Sequence, residues 1–285
     1  MSNPAASIRA KLQDLAKNEG LAFQVVIFRF LHERFLFRLS LSHYKNNFFL
    51  KGGALLYSVE ETKTRPTKDL DFLALAIQND LARIQEAFRN ICMLGHTQDS
   101  VWFEPESIEA ERISEQDKYE GVRIFLEGGF DSIRQKLQID IGFGDVMVPS
   151  PVEISYPVLL PELDAPLIKA YSIETVVAEK FQAMIELSSA NSRMKDFYDV
   201  FQILIKGNYD PEALALATIA TFRNRQTGYQ QNHALFSGAI GESELFQRAW
   251  TNFLKKTMVS APEDFSEVAA TIVTSFFEIW ESMKG

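Results

Sequence analysis

The hydrophobic pattern of the chain changes near Pro166, and this change constrains the fold more than any other feature. Before Pro166, residues typical of strands are enriched in the runs 46–51, 70–75, 100–113, 122–130, 136–143 and 153–160. Helical spacing marks the segments 5–18, 21–42, 80–93, 172–189, 194–205, 211–223, 242–256 and 264–284. The pattern predicts an α+β fold, with a mixed sheet and flanking helices in residues 1–165 and a helical domain in residues 166–285.

Charge is unevenly distributed along the chain. The formal net charge of −9 argues against a chain that binds polyanions over its whole surface. The first 68 residues nevertheless carry 11 Lys and Arg against 5 Asp and Glu, whereas the remainder carries 18 against 33. A basic front half indicates a surface that faces nucleic-acid phosphates. The alternative is that Arg29, Arg34 and Arg38 form a solvated helix face.

The sequence gives little indication of a membrane-spanning helix or of a signal peptide. No apolar run reaches the roughly 18 to 20 residues that a membrane-spanning helix needs, and the N-terminal segment lacks the apolar stretch of a signal peptide. The single cysteine, Cys92, cannot form an internal disulfide. We therefore expect a cytoplasmic protein with no membrane partner. The four histidines lack metal-ligand spacing, so a zinc site is not expected.

A glycine pair, Gly52-Gly53, stands where a short predicted strand meets a helix. Because glycine has no Cβ, the backbone can approach a ligand closely at such a turn. The N–H groups at the start of the helix also favour a phosphate. A structural turn is the commoner explanation for a glycine pair considered alone.

Two carboxylates follow the glycine pair at a fixed spacing. Asp69 and Asp71 lie on a predicted strand, and residues two apart on a strand share one face. Adjacent carboxylates repel each other unless a cation lies between them, and hard oxygen ligands suit Mg²⁺. The alternative is a strand edge whose aspartates face water.

A third carboxylate lies on a later predicted strand. Asp140 stands between Ile139 and Ile141, where burial is costly unless the carboxylate is paired or binds a cation. If this strand lies beside that of Asp69 and Asp71, three carboxylates converge, as in two-metal phosphoryl-transfer sites. Asp145 is a weaker substitute for this role.

Four motifs in fixed order carry a family resemblance. They are Lys51-Gly52-Gly53, Arg65-x-Thr67-x-Asp69-x-Asp71, Ala178-Glu179-Lys180 and Arg193-x-Lys195-Asp196-x-x-Asp199. Over roughly residues 45–205, this combination resembles the AbiEii/AbiGii toxin family, within the nucleotidyltransferase superfamily that includes DNA polymerase β. The resemblance implies a nucleotidyltransferase-like sheet, with a helical C-terminal half.

The resemblance also implies a function. The chain would move a nucleotide from an NTP onto a macromolecule, with the tRNA 3′ end as the leading acceptor. It would be the toxin of a type IV toxin–antitoxin system linked to abortive infection, with its antitoxin encoded nearby. Mg²⁺, with Mn²⁺ as the alternative, would be the cofactor.

The implied site residues fall into four groups. Asp69, Asp71, Lys180 and Asp196 would be catalytic. Asp69, Asp71 and Asp140 would bind the metal. The nucleotide would be bound by Lys51, Gly52, Gly53, Arg65, Thr67 and Lys180. Arg193, Lys195 and Asp199 are further candidates.

The residues themselves leave alternatives open. Lys180 borders an apolar helix stripe, so it either reaches a triphosphate or extends along the stripe to water. Arg193, Asp196 and Asp199 recur at three-residue spacing, which is also typical of a surface ion-pair ladder. The competing functions are transfer to a protein or a small molecule, and nucleotide binding by a non-catalytic regulator.

Overall fold

The computed structural model describes residues 4–60, 65–95, 98–115 and 119–284. The chain forms two compact units. Unit 1 comprises Met1–Gly144 and Val152–Ala170, and unit 2 comprises Asp145–Pro151 and Tyr171–Gly285. In the described part of the chain, no helix has both the length and the apolar character needed to cross a membrane.

Unit 1 is built on a seven-stranded sheet, and its mixed character confirms the prediction from the sequence. The strands are β1 (Phe48–Lys51), β2 (Asp69–Ala74), β3 (Trp102–Glu115), β4 (Tyr119–Phe130), β5 (Ile133–Phe143), β6 (Val152–Ser155) and β7 (Leu167–Ala170). Their order in the sheet is β3-β4-β5-β2-β1-β7-β6. β2 runs parallel to β5 and antiparallel to β1, while β1 is parallel to β7. The sheet therefore places β2 between the strands that carry Lys51 and Asp140.

The strand predictions differ from the structure in two places. The predicted strand 153–160 ends at Ser155, and β7 was not predicted. β7 has only four residues, of which Leu167 is exposed and Ile168 and Ala170 are buried. So short a segment gives little periodicity, and its strand geometry depends on the neighbouring strands β1 and β6.

The helices of unit 1 are α1 (Pro4–Asn18), α2 (Phe23–Leu41), α3 (Gly52–Glu60) and α4 (Leu81–Cys92). Phe35 of α2 stacks on Phe88 of α4 at 5.7 Å between ring centroids. Phe88 in turn contacts Phe48 of β1 at 5.2 Å, and Phe48 contacts Phe72 of β2 at 6.1 Å. This aromatic core covers the sheet face to which Phe72 points. Because side chains alternate along β2, Asp69 and Asp71 project from the opposite face.

The arginines of α2 do not form the solvated helix face that was considered as the alternative, and their burial also removes these three side chains from any surface that could face phosphates. Arg29, Arg34 and Arg38 are 7%, 0% and 1% exposed. Arg38 donates to both carboxylate oxygens of buried Asp99, at 3.0 and 3.2 Å. Arg34 forms an ion pair with Glu33 at 2.7 Å. A buried arginine needs such partners, and the partner of Arg38 lies 61 residues away in sequence, so helical spacing alone could not identify it.

Unit 2 consists mainly of the predicted helices. They are α5 (Ile173–Leu187), α6 (Met194–Lys206), α7 (Pro211–Asn224), α8 (Glu244–Thr257) and α9 (Phe265–Ser282). Ser172 caps α5, since its Oγ accepts from the Thr175 amide at 3.2 Å, as the sequence predicts. Phe181 of α5 stacks on Phe276 of α9 at 3.8 Å, which gives this unit its own aromatic core.

Candidate active site

The two carboxylates of β2 project from the sheet face opposite the aromatic core. Asp69 and Asp71 are partly exposed, whereas Leu70 and Phe72 between and after them are fully buried. The alternation of β2 therefore gives the two acids one face in common. Lys51 of β1 lies opposite Asp71 in the antiparallel register.

Gly52 brings the start of α3 against Asp71. Its φ is +67°, a left-handed conformation that favours glycine. A Cβ on this residue would lie 2.7 Å from Cγ of Asp71 and closer still to Oδ2. The carboxyl group thus occupies the space that any other side chain would fill. The glycine is required both for the turn and for the close approach.

Gly53 is covered by the segment that leads into β2. A Cβ at Gly53 would lie 2.9 Å from Oγ1 of Thr67 and 3.3 Å from Nη2 of Arg65. Thr67 also donates a long hydrogen bond, 3.5 Å, to the carbonyl of Asp69. The structure therefore brings Arg65 and Thr67 to the first turn of α3, next to the aspartate strand.

Lys51 reaches across the same face. Its Nζ lies 3.8 Å from the position that a Cβ would occupy at Gly142 of β5. The side chain therefore extends from β1 past β2, which carries Asp71 between these two strands. All of the nucleotide-binding candidates of unit 1 thus lie around one glycine turn.

Asp140 lies beside Asp71 but is bound by an arginine. The parallel register of β2 and β5 sets Asp140 opposite Asp71, and the antiparallel register of β4 and β5 sets it opposite Arg123. Arg123 donates from Nε to Oδ1 at 2.7 Å and from Nη2 to Oδ2 at 2.8 Å. The amide of Gln138 donates to both oxygens at 3.2 Å. The Asp140 side chain is only partly buried, at 20% exposure, and this pairing offsets the cost of that burial.

Arg123 was missed by sequence reasoning, although a signal was present. On β4, Val122, Ile124 and Leu126 are fully buried, so alternation sends Arg123 to the face of Asp140. The hydrogen bonds to Asp140 raise the pKa of Arg123, against the effect of burial, and the charges of Asp140, Glu111 and Asp69 add to the rise.

In the described residues, no group of three or more His, Cys, Asp or Glu is placed to hold a metal ion.

A second group of candidate residues lies within unit 2. Lys180 of α5 donates to Oδ1 of Asp196 at 2.6 Å, and its Nζ lies 2.9 Å from Oδ2 of Asp199. Nε of Arg193 lies 2.7 Å from Oδ2 of Asp196. The side chains of Lys180, Asp196 and Asp199 are 11%, 0% and 4% exposed. The α5 and α6 motifs therefore form one buried charge cluster, while Lys195 remains exposed.

This cluster contradicts two of the possibilities considered above, a Lys180 side chain that extends to water and a surface ladder of ion pairs. Lys180 does not extend to water, because it is paired and nearly buried. Asp196 and Asp199 do not belong to a surface ladder, because they face inward. Burial acts to raise the pKa of Asp196, but the charges of Lys180 and Arg193 outweigh it and hold that pKa below its usual value.

Arg225 forms a further network that the sequence did not reveal. It donates from Nε and Nη2 to Asp145 at 3.0 and 2.9 Å and from Nη1 to Gln182 at 2.9 Å. Nη2 also lies 3.5 Å from Glu179, which accepts from Tyr171 at 3.0 Å. Asp145, the weaker substitute for a third metal carboxylate, is therefore bound to an arginine of unit 2.

A family model matches most of the chain. The family is described as "Nucleotidyl transferase AbiEii toxin, Type IV TA system", and the match covers residues 34–271. No curated protein sequence matches the chain.

Two solved structures of bacterial proteins align with most of the chain. MenT4, a nucleotidyltransferase toxin from Mycobacterium tuberculosis H37Rv, aligns with a TM-score of 0.55 and 16% identity over 98% of both chains. JHP933 from Helicobacter pylori aligns with a TM-score of 0.49 and 13% identity over 89% of this chain and 93% of its own. At 16% identity, the likeness to MenT4 concerns the fold alone.

Proposed function

Because the chain belongs to the family of nucleotidyl transferase AbiEii toxins of type IV toxin–antitoxin systems, we propose that it transfers a nucleoside monophosphate from an NTP to the 3′ end of tRNA. Mg²⁺ is the proposed cofactor, and Mn²⁺ the alternative. The observation that carries the proposal is the close approach of Gly52 to Asp71, because it joins the turn that we propose to bind phosphate to the carboxylate that we propose to bind the metal.

The donor set of β2 fits a hard divalent cation. Asp69 and Asp71 offer carboxylate oxygens from one strand face, and Mg²⁺ is commonly held by one or two carboxylates together with substrate phosphates. The small volume of Gly52 leaves room for the carboxyl of Asp71 at the turn. When bound, the cation would neutralise charge on the triphosphate and on the departing pyrophosphate.

The glycine turn fits the triphosphate itself. α3 begins at Gly52 and has nine residues, so its first N–H groups and the helix dipole favour an anion. Arg65 and Thr67 stand over Gly53, and Lys51 extends across the same face. Two cations and a hydroxyl thus surround the turn, and we assign these residues to phosphate binding.

Lys180 and Asp196 complete the proposed catalytic set on the strength of the family motifs. In unit 2 the Lys180 ammonium is held by two carboxylates, which fix its position. We propose that it neutralises phosphate charge, with Asp196 and Asp199 orienting it. Arg193, the residue that precedes α6, contacts Asp196 in the first turn of that helix.

The proposed partners are an NTP, tRNA and a cognate antitoxin, and the proposed location is the cytoplasm. The direct test incubates the purified protein with each labelled NTP, Mg²⁺ and intact total tRNA. We expect label on tRNA with the wild type and none with Asp69→Asn or Asp71→Asn. Asp14→Asn, which makes the same charge change at an exposed position of α1, should retain activity.

The same experiment separates the competing functions. Label on protein or on a small molecule, with tRNA unlabelled, would replace the proposed acceptor. Tight NTP binding without label on any acceptor would favour a non-catalytic regulator and contradict the proposed transfer. Replacing Mg²⁺ with Mn²⁺ identifies the preferred cation.

A further inference from the structure

The ion pair between Arg123 and Asp140 differs from the ion pair between Arg134 and Glu127, which joins the same two strands. It uses two nitrogens and both carboxylate oxygens, at 2.7 and 2.8 Å. Its side chains are 30% and 20% exposed. By comparison, Arg134 and Glu127 form a single contact with exposures of 67% and 40%. A bidentate ion pair that is partly buried is stronger and more rigid than an exposed ion pair with a single contact.

This pairing limits what Asp140 can do. Each of its oxygens accepts from the guanidinium and from the amide of Gln138. A carboxylate that ligates a cation needs a lone pair directed at that cation, so Asp140 would first have to give up part of this arrangement. Arginine stays protonated in proteins, so proton loss from Arg123 does not release it.

Arg123 also lies where a positive charge serves the proposed reaction. Asp140 lies opposite Asp71 in the register of β2 and β5, and the negative charge of Asp69 contributes to the raised pKa of Arg123. The guanidinium therefore belongs to the sheet face that holds both proposed metal ligands. It is partly exposed, and the pair uses only Nε and Nη2 of its three nitrogens.

We propose that Arg123 binds a phosphate of the NTP and that Asp140 is a positioning residue that orients Arg123, while Asp69 and Asp71 hold the cation. This inference rests on the proposed function and assigns an additional residue to its nucleotide site. Arginine suits the role because its planar group can bind a carboxylate along one edge and a phosphate along another. In a nucleotidyl transfer, a guanidinium held in a fixed position stabilises the negative charge that develops on the phosphates.

The test measures binding without an acceptor. Calorimetry first follows Mn²⁺ alone, and then a non-hydrolysable α,β-methylene NTP in the presence of Mn²⁺. The variants are Arg123→Gln, Arg123→Lys, Asp140→Asn and the double variant Arg123→Gln/Asp140→Asn. Arg134→Gln is the matched control, because it removes an exposed arginine from β5. Circular dichroism verifies that each variant is folded, and Arg123→Lys retains the charge if Arg123→Gln unfolds.

The proposal predicts a distinct pattern of affinities. Analogue binding should weaken about tenfold or more in Arg123→Gln, as expected for a lost charged hydrogen bond, and less in Arg123→Lys. Asp140→Asn should weaken it to an intermediate extent, with no added effect in the double variant, because Asp140 acts through Arg123. Mn²⁺ affinity should remain within about threefold of the wild type in Asp140→Asn, and Arg134→Gln should bind both probes normally.

Three results would overturn the proposal. The first is loss of Mn²⁺ binding in Asp140→Asn as severe as in Asp71→Asn. The second is Mn²⁺ affinity that rises about tenfold or more in Arg123→Gln, since that would mean the arginine masks a metal ligand. The third is a wild type that binds Mn²⁺ but no analogue. Absence of label on every acceptor, despite analogue binding, would instead count against the proposed transfer alone.

Discussion

Gly52 and Asp71 are in direct contact, and the space of the missing Cβ of one is occupied by the carboxyl group of the other. The contact joins β1, α3 and β2 at one point, because Gly52 directly follows the last residue of β1, which pairs with β2, and is the first residue of α3. A change at the glycine therefore acts on the aspartate.

We predict that Gly52→Ala abolishes Mn²⁺ binding and nucleotide transfer. The variant combines left-handed strain of about 1–2 kcal/mol with a forced displacement of the Asp71 carboxyl. Gly20→Ala provides a matched control, because Gly20 has nearly the same φ, +66°, and no described atom within 4 Å of a new Cβ. Urea unfolding and Mn²⁺ calorimetry measure both effects. Equal losses of stability in the two variants, with Mn²⁺ binding retained by Gly52→Ala, would contradict the prediction.

We predict that expression of the wild-type chain arrests bacterial growth and that Asp71→Asn relieves the arrest. The substitution keeps the size of the side chain but removes a charge that the proposed cation requires. Growth curves and immunoblots of induced cultures provide the measurement, and Asp14→Asn should remain toxic. Arrest by Asp71→Asn at matched protein levels would show that toxicity does not depend on this carboxylate.

We predict that Lys180→Met destabilises the protein by about 3–5 kcal/mol at neutral pH, because it leaves Asp196 and Asp199 buried without their shared cation. The same change at exposed Lys195, Lys195→Met, should stay within about 0.5 kcal/mol of the wild type. Urea unfolding of both variants gives the comparison.

The loss caused by Lys180→Met should depend on pH. The folded pKa of Asp196 is held below its usual 3.8, so its charge contributes stability above pH 3.8 that is lost as pH falls through the folded pKa. The difference between the wild type and Lys180→Met should therefore narrow in acid. A constant difference from pH 7 to pH 3 would show that lost packing, rather than charge, is responsible.

We predict that two neighbouring residues of α2 give opposite pH dependences. Burial raises the pKa of Glu33 from 4.5 to about 7 against the attraction of Arg34, so the folded state binds the extra proton and stability falls as pH rises from 4.5 to 7. Burial lowers the pKa of His32 from 6.5 to about 4. The unfolded state therefore binds the extra proton, and stability rises as pH rises from 4 to 6.5.

Substitution separates these two contributions. Between pH 4.5 and 6.5, the free energy of unfolding should rise with pH in Glu33→Gln and fall in His32→Gln, relative to the wild type. The double variant should return close to the wild-type slope. Denaturant unfolding at half-unit pH steps gives the slopes, and parallel profiles for both single variants would exclude titration of this pair.

Local pattern was sufficient to predict the parts of the fold that depend on neighbours in sequence. The common face of Asp69 and Asp71 follows from strand alternation, and the start of α5 follows from the cap at Ser172. Ion pairs between residues distant in sequence could not be predicted in this way, as with Arg38 and Asp99 or Arg123 and Asp140. Periodicity shows that a charged residue lies on a buried face, but it does not identify the partner.

Each of the two units is built from two separate segments of the chain, and this limits which fragments of the protein can fold. The chain passes from one unit to the other at 144/145, 151/152 and 170/171, so no single truncation yields either unit intact. A fragment ending at 144 would lack β7 and leave β1 as an unpaired edge. A fragment starting at 171 would lack Asp145, which binds Arg225, and the Val148 carbonyl, which accepts from Thr175. Separate production of the helical unit therefore requires the heptapeptide 145–151 to be grafted back onto it.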